Sequence, residues 1–363
     1  MRVLHYYTED DPMVCLHVST LCDNMRGKID CHLATDGNAA RTLLQGSHYD
    51  LLHLHGCWRN SARSIVNLAL RQGTRLLLTP HGQLEPWVME ENKWREKMPK
   101  RLFYQRDIVR KAYAVVIQGK MEQECMQQLA WNRRTVIIRN SVITSLTSPS
   151  DMAAQTLALY QKVVDSNPLH RMQADTQTAL RTIIKAGITG DKRWLTDDDS
   201  LPAVTQWREI LCYAHQEEII DSIRRGIRVL GLEVPDINVE KIDYFVPDTM
   251  QPAAAIGTAI GNQFVSENER LLATFRYLRR IIDNGQIGIK HLIELDRELR
   301  EHDCQEEELR DTLEEKNLLK IAARLMQVMM ELTGLTEGFM PVKPLDDRLS
   351  RRLRKQIDNH LTI

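Results

Sequence analysis

Two short apolar runs that each stop at His-Gly constrain this chain more than any other feature. They are Asp50-Leu-Leu-His-Leu-His-Gly-Cys-Trp58 and Leu76-Leu-Leu-Thr-Pro-His-Gly-Gln-Leu84. A continuous apolar run of this length, bounded by turn residues, predicts a strand buried on both faces of a parallel sheet. Each run then delivers a polar side chain and a flexible turn to the strand's carboxyl end, the edge where open α/β sheets collect their ligands.

The surrounding pattern agrees. Strands are predicted over Arg2 to Tyr7, Ile29 to Thr35, Asp50 to His55, Arg75 to Pro80, Ala114 to Gln118 and Thr135 to Arg139. Helices are predicted over Met13 to Arg26, Ala39 to Gln45, Ser61 to Gln72, Asn92 to Lys111 with a break near Pro99, and Lys120 to Ala130. Alternation of this kind gives a doubly wound parallel sheet, because each right-handed crossover lays a helix between successive strands. Residues 1–145 are therefore expected to form a Rossmann-like α/β domain.

A polar joint, Thr144-Ser-Leu-Thr-Ser-Pro-Ser150, follows, and β-branched runs become scarce beyond it. Met152 to Asp165, Met172 to Gly187, Leu201 to Gly231, Glu267 to Asn284 and Ile287 to Leu335 carry apolar residues at helical spacing. Residues 146–363 are expected to be predominantly α-helical. The charge-dense run Glu294 to Lys320 reads as a solvated or partner-facing helix face, and the basic stretch Arg348 to Lys355 as an exposed tail that could touch an acidic surface.

A formal net charge of -1 argues against nucleic-acid binding by bulk electrostatics, with local basic patches still open. The seven cysteines, at 15, 22, 31, 57, 125, 212 and 304, form no C-x-x-C pair and show no zinc-like spacing. A reducing compartment is the simplest setting. The opening Met1-Arg-Val-Leu-His-Tyr-Tyr does not read as a signal peptide, and no apolar stretch reaches the roughly 18 residues of a membrane span. The expected location is cytoplasmic, with peripheral contact at the inner face of a membrane as the furthest extension.

If the strands are parallel, His55 with Gly56, His81 with Gly82, Gly119 with Lys120, and Asn140 with Ser141 lie on one rim of the sheet. Glycine there permits close backbone approach to a ligand, and an imidazole can hydrogen-bond a sugar hydroxyl or a phosphate, or exchange a proton near neutral pH. A capped turn histidine is the competing account of each. His53 and His55 share one face of a strand and could ligate a metal with His81, with Cys57 the nearest thiolate; a half-buried strand histidine is the commoner outcome, and no metal is expected.

Taken in order, the strand DLLHLHGCW, the strand and turn LLLTPHGQLEPWV, the basic helix, the strand AYAVVIQ, the helix with MEQE and the strand TVIIRNSV resemble the N-terminal domain of the retaining GT-B glycosyltransferases of family 4. The likeness covers about residues 1–145, and Thr79-Pro-His-Gly-Gln-Leu-Glu-Pro-Trp87 is its most specific part. It implies an acceptor-binding domain whose His81 turn faces the donor sugar, with His81 the catalytic candidate. His55, Gly56, Trp58, Gly82, Lys120, Glu122 and Asn140 are the implied substrate-binding set. No cofactor is implied, since the nucleotide sugar is itself a substrate; the acceptor would be a glycan or a lipid-linked one.

The chain departs from that family in specific places. Thr8-Glu-Asp-Asp-Pro12 replaces the glycine-rich loop after the first strand, Ile138-Arg-Asn-Ser141 replaces I-P-N-G, and Gly119 stands where Ser or Thr is usual. The second Rossmann domain with its E-x7-E motif has no recognisable counterpart; Glu298 and Glu306 match the spacing by arithmetic alone. Asp197-Asp198-Asp199 contains a formal D-x-D but reads as a helix N-terminus. Pro252 to Gly261 reads as a small-residue stripe for close helix packing.

Between Lys93 and Lys111 eight basic residues interleave with Trp94, Phe103 and Tyr104. Lys93, Trp94, Arg95, Lys97 and Arg101 are candidates for contact with an anionic membrane or a lipid-diphosphate acceptor, against the alternative of a solvated helix. Two functions remain open. One is a glycosyltransferase of cell-surface polysaccharide assembly. The other is a non-catalytic glycosyltransferase-like protein that binds glycan, or a protein partner through its helical half.

Overall fold

A computed structural model describes residues 1–85, 87–88, 104–195, 206–246, 253–261 and 263–360. The candidates Lys93, Trp94, Arg95, Lys97 and Arg101 and the triad Asp197 to Asp199 lie outside the described residues. The chain divides into two compact units, Met1–Asp165 and Ser166–Ile363.

The first unit is an α/β sheet domain. Its strands are β1 (Arg2–Tyr6), β2 (Asp30–Ala34), β3 (Leu51–His55), β4 (Arg75–Thr79), β5 (Ala114–Ile117) and β6 (Thr135–Ile137). They run parallel in the order β2-β1-β3-β4-β5-β6. The helices are α1 (Pro12–Met25), α2 (Gly37–Gly46), α3 (Asn60–Arg71), α4 (Arg106–Lys111), α5 (Lys120–Leu129) and α6 (Pro149–Asp165). The chain leaves β1 toward one edge and β3 toward the other, so the topological switch point lies between these two strands.

The two faces of the sheet are chemically unlike. Because side chains alternate along a strand, Leu4, Tyr6, Leu52, Leu54, Leu76 and Leu78 share one face and pack on Ala40, Leu44, Ile65 and Ile108 in an apolar core. Their neighbours His5, His53 and His55 project to the opposite face, where α1 supplies His17 and α6 supplies Tyr160. The segment Thr8 to Pro12, where a glycine-rich loop would be expected, starts α1: Asp11 accepts hydrogen bonds from the Met13 and Val14 amides at 3.0 and 3.3 Å, and Pro12 occupies the first turn. The polar stretch 144–150 leads directly into α6, which packs along α1.

Among its described residues the second unit contains helices joined by loops and no strand. It contains α7 (Ala174–Thr189), α8 (Trp207–Gln216), α9 (Ile220–Leu230), α10 (Ile256–Ile260), α11 (Glu267–Asp283), α12 (Ile289–Glu301), α13 (Glu306–Glu315), α14 (Leu319–Leu332) and α15 (Arg348–Asp358). One apolar core runs through it, including Ile183, Ile223, Phe275, Leu292 and Met326. Among the described residues no helix is long and apolar enough to cross a membrane.

Three expectations are corrected here. The Glu294 to Lys320 run is not one solvated face: it breaks between α12 and α13 and again before α14, and Asp296 and Glu298 are buried, paired with Arg300 and Arg270. Glu298 and Glu306 therefore lie on different helices. The basic stretch from Arg348 is not a tail but α15, docked through Leu353 and Ile357, with Arg354 bridging Glu331 and Asp358. The small-residue stripe makes no close crossing, since a Cβ on Gly257 or Gly261 would meet nothing. The close crossing is between α7 and α9, where Gly187 abuts the Ser222 carbonyl and Gly226 the Ile183 carbonyl.

Candidate functional site: a histidine relay at the sheet switch point

Parallel pairing sets the site. The β1 and β3 register places His5 beside His53, and the β3 and β4 register places His55 beside Thr79. His53 is buried, with Nδ1 at 2.6 Å from the Tyr160 hydroxyl and Nε2 at 2.7 Å from Thr79 Oγ1. Both of its nitrogens are thus engaged within the cluster. His55, also buried, sits with Nδ1 3.1 Å from His81 Nε2 and Nε2 3.0 Å from His5 Nδ1.

This gives a directed string of imidazoles. The Gln118 amide nitrogen lies 2.9 Å from His81 Nδ1, and an amide NH2 group only donates. His81 therefore donates from Nε2 to His55, and His55 donates from Nε2 to His5. The string ends at His5 Nε2, a buried atom with no partner in hydrogen-bond geometry among the described residues. His17 joins from the side, its ring 4.9 Å from that of His81 and its Nδ1 3.0 Å from Asn140 Oδ1.

Burial keeps His17, His53, His55 and His81 uncharged at neutral pH. Desolvation pulls His17 down to about 4 and holds His53, His55 and His81 well below the usual histidine range. Neighbouring imidazoles add to this in all four, and Arg59 adds to it at His81. At neutral pH these rings are hydrogen-bonding groups, not cations.

The two His-Gly turns are tied to each other and to the next strand. Gly56 and Gly82 adopt φ of 84° and 76°, which glycine tolerates, whereas His81 and Trp58 hold positive φ of 54° and 67° at some steric expense. Gln83 stabilises the first turn by accepting the Cys57 amide at 2.6 Å, and the Gln83 carbonyl accepts the Trp58 indole N–H at 3.0 Å. Glu122 is buried beneath the second turn, its carboxylate accepting the Gly82 amide at 3.0 Å and the Gln118 amide at 3.1 Å. One side chain thus fixes both His81 and its Gln118 partner. Burial raises the Glu122 pKa, and the two amide hydrogen bonds oppose that rise.

Of the residues the sequence singled out, His55, Gly56, His81, Gly82, Glu122 and Asn140 meet in this one network. Trp58 flanks it, half-buried. Lys120 points to solvent, and Cys57 is buried outside the histidine cluster, its thiol pushed well above the usual range by desolvation. Sequence reasoning passed over His5, His17, Gln83, Gln118 and Tyr160. A signal existed for His5, which interrupts an apolar strand as His53 does; His17 and Tyr160 sit in ordinary amphipathic helices and gave none.

Replacing Glu122 by Gln tests the tie. A carboxamide offers one acceptor oxygen, so either the Gly82 or the Gln118 N–H is left facing an NH2 group. A buried unsatisfied donor costs about 1–3 kcal/mol, and that loss is expected in thermal unfolding, with faster hydrogen exchange at Gly82 and Gln118. Unchanged stability and exchange would remove Glu122 from this role.

The comparisons with known proteins point the same way as the architecture. In open parallel sheets the carboxyl-end crevice at a switch point is where ligands collect. Residues 31–141 match the family model of a glycosyl transferase 4-like domain, so the N-terminal region carries a glycosyltransferase-like domain that covers less than half of the chain. The chain has no significant match among curated proteins or solved structures.

Proposed function

We propose that this is a glycosyltransferase of cell-surface polysaccharide assembly, taking a sugar from a nucleotide-sugar donor to a glycan or lipid-linked acceptor. The observation that carries the reading is the glycosyl transferase 4-like match over residues 31–141, whose span contains both His-Gly turns of the rim. On this reading His81 is the group that meets the reacting sugar. Its partly exposed ring would reach a substrate hydroxyl by exchanging one of its present partners, His55 or Gln118, for substrate. The neutral ring suits hydrogen bonding to a sugar and gives no fixed charge to bind phosphate. Phosphate binding would then fall to cationic groups or helix N-termini. The place of action is the cytoplasm or the inner face of the membrane, with residues 93–101 the candidate membrane or acceptor contact.

A second reading has its own support. The described residues of Ser166–Ile363 form helices and loops with no strand, so they do not supply the second sheet domain that holds the donor in GT-B enzymes, and both ring nitrogens of His81 are already engaged. A non-catalytic protein that binds glycan or a partner enzyme would need neither. Calorimetric titration with UDP- and GDP-sugars separates the two. Saturable binding, weakened at least about 10-fold in His81→Ala (about 1.4 kcal/mol), is expected of the enzyme. Absence of heat across the panel, with glycan binding retained, would establish the second reading instead.

A further inference from the structure

The relay ends beside a pair of thiols. Cys31 lies on β2 opposite Val3 of β1, which puts it on the same sheet face as His5, and Cys22 comes from α1, the helix covering that face. The Sγ atoms of Cys22 and Cys31 and a ring nitrogen of His5 all fall within 4.8 Å of one another among the described residues. Both thiols are free and half-buried. His5 is fully buried; its Nδ1 is held by His55, and its Nε2 makes no hydrogen bond of good geometry among the described residues, its interaction with the Cys31 thiol apart.

The Cys31 thiol is the neighbour that interacts with His5, and a thiol is only a weak hydrogen-bond partner for a buried imidazole nitrogen, so the nitrogen and the two sulfurs are placed to share a stronger occupant. Two sulfurs and one nitrogen form a soft donor set suited to a d10 ion, and three protein ligands leave one tetrahedral position for water or a fourth donor. Hard cations such as Mg2+ or Ca2+ require oxygen ligands, which none of the three residues offers. We propose that His5, Cys22 and Cys31 form a zinc-binding site at the edge of the sheet.

The geometry also supplies the outer partner that metal-bound histidines use. A ligating histidine donates its other N–H to a neighbour that fixes the ring, and His55 Nε2 stands 3.0 Å from His5 Nδ1 for that purpose. Zinc on Nε2 requires the proton on Nδ1, which reverses the direction of the string: His5 donates to His55, His55 to His81, and His81 to the Gln118 carbonyl oxygen after the amide turns over. The site thereby sets which nitrogen of His81 carries a proton. This holds whether or not the protein transfers sugars.

The test uses reduced, chelator-treated full-length protein titrated with Zn2+ against a chromophoric chelator, and with Co2+ followed by absorption. One equivalent is expected to bind, with a thiolate-to-cobalt charge-transfer band. Affinity should fall by roughly 100-fold or more in Cys22→Ser and in Cys31→Ser, beyond the 10- to 100-fold typical of losing an outer partner, and stay unchanged in Cys304→Ser. No saturable uptake, or equal affinity in all three variants, overturns the site. Should the serine variants not fold, alkylation of the wild type decides: Zn2+ is expected to protect Cys22 and Cys31 from iodoacetamide in peptide mass spectra, and equal labelling with and without the metal refutes the proposal.

Discussion

Lowering the pH from 7 to 5.5 is expected to destabilise Met1–Asp165 by roughly 5 kcal/mol, since four desolvated histidines each contribute about 1.4 kcal/mol per pH unit below their unfolded value. The sign follows from the direction of the shifts. His17, His53, His55 and His81 titrate near 6.5 when unfolded and lower when folded, to about 4 for His17. The unfolded chain therefore takes up more protons once the pH drops below about 6.5. Stability is full above that value and is lost as the pH falls toward the folded values. Glu122 works the other way, because its raised pKa lets the folded state gain a proton first, but it is one group against four.

Since domains are stable by only about 5–15 kcal/mol, a loss of this size brings the first unit close to unfolding at a pH that leaves most proteins intact. Hydrogen exchange at β1 and β3 in the presence of a chelator reads it locally. Protection there should drop steeply between pH 6.5 and 5.5. Exchange that follows only the intrinsic pH dependence would mean the rings are not neutral in the fold.

The second large effect lies in the other unit. At Gly226 an added Cβ would overlap the backbone carbonyl oxygen of Ile183 and crowd its side chain. No rotamer change moves a carbonyl, so α7 and α9 would have to separate along their crossing. Overpacking of this kind costs about 3 kcal/mol or more. Gly226→Ala is thus expected to lower the urea midpoint of Ser166–Ile363 sharply, and Gly187→Ala, against the Ser222 carbonyl, to do the same. Gly257→Ala is the control: its Cβ meets nothing, and Ala in place of Gly within α10 should be neutral or stabilising by up to about 1 kcal/mol. Equal midpoints for Gly226→Ala and Gly257→Ala would mean that α7 and α9 do not cross at this distance.

Several parts of the molecule were legible in the sequence. The six strands and, among the described residues, the helices between them follow from apolar runs punctuated by turn residues, though residues 92–103 of the expected helix Asn92 to Lys111 lie outside the described residues; the observed β3, at Leu51–His55, ends where the His-Gly signal puts it. The glycosyltransferase-like character of the N-terminal region was legible too. Helical spacing marked most of the second unit. It did not show that Leu201 to Gly231 is interrupted, where Glu218 takes a positive φ of 58° between α8 and α9, or that acids in a charge-dense run are buried against arginines. Periodicity reports a residue's face, not whether a partner waits there.

The same division runs through the site. The sequence by itself determined the two His-Gly turns on the rim, because strand length, alternation and glycine's tolerance of positive φ are local properties that a short window encodes. Only the tertiary structure decided that these turns join a relay from Gln118 to His5, that Glu122 holds one of them from below, and that the relay stops beside two cysteines whose spacing signals no metal. Those contacts join residues brought together by strand order, register and helix packing, and they depend on distances in space that no spacing along the chain records.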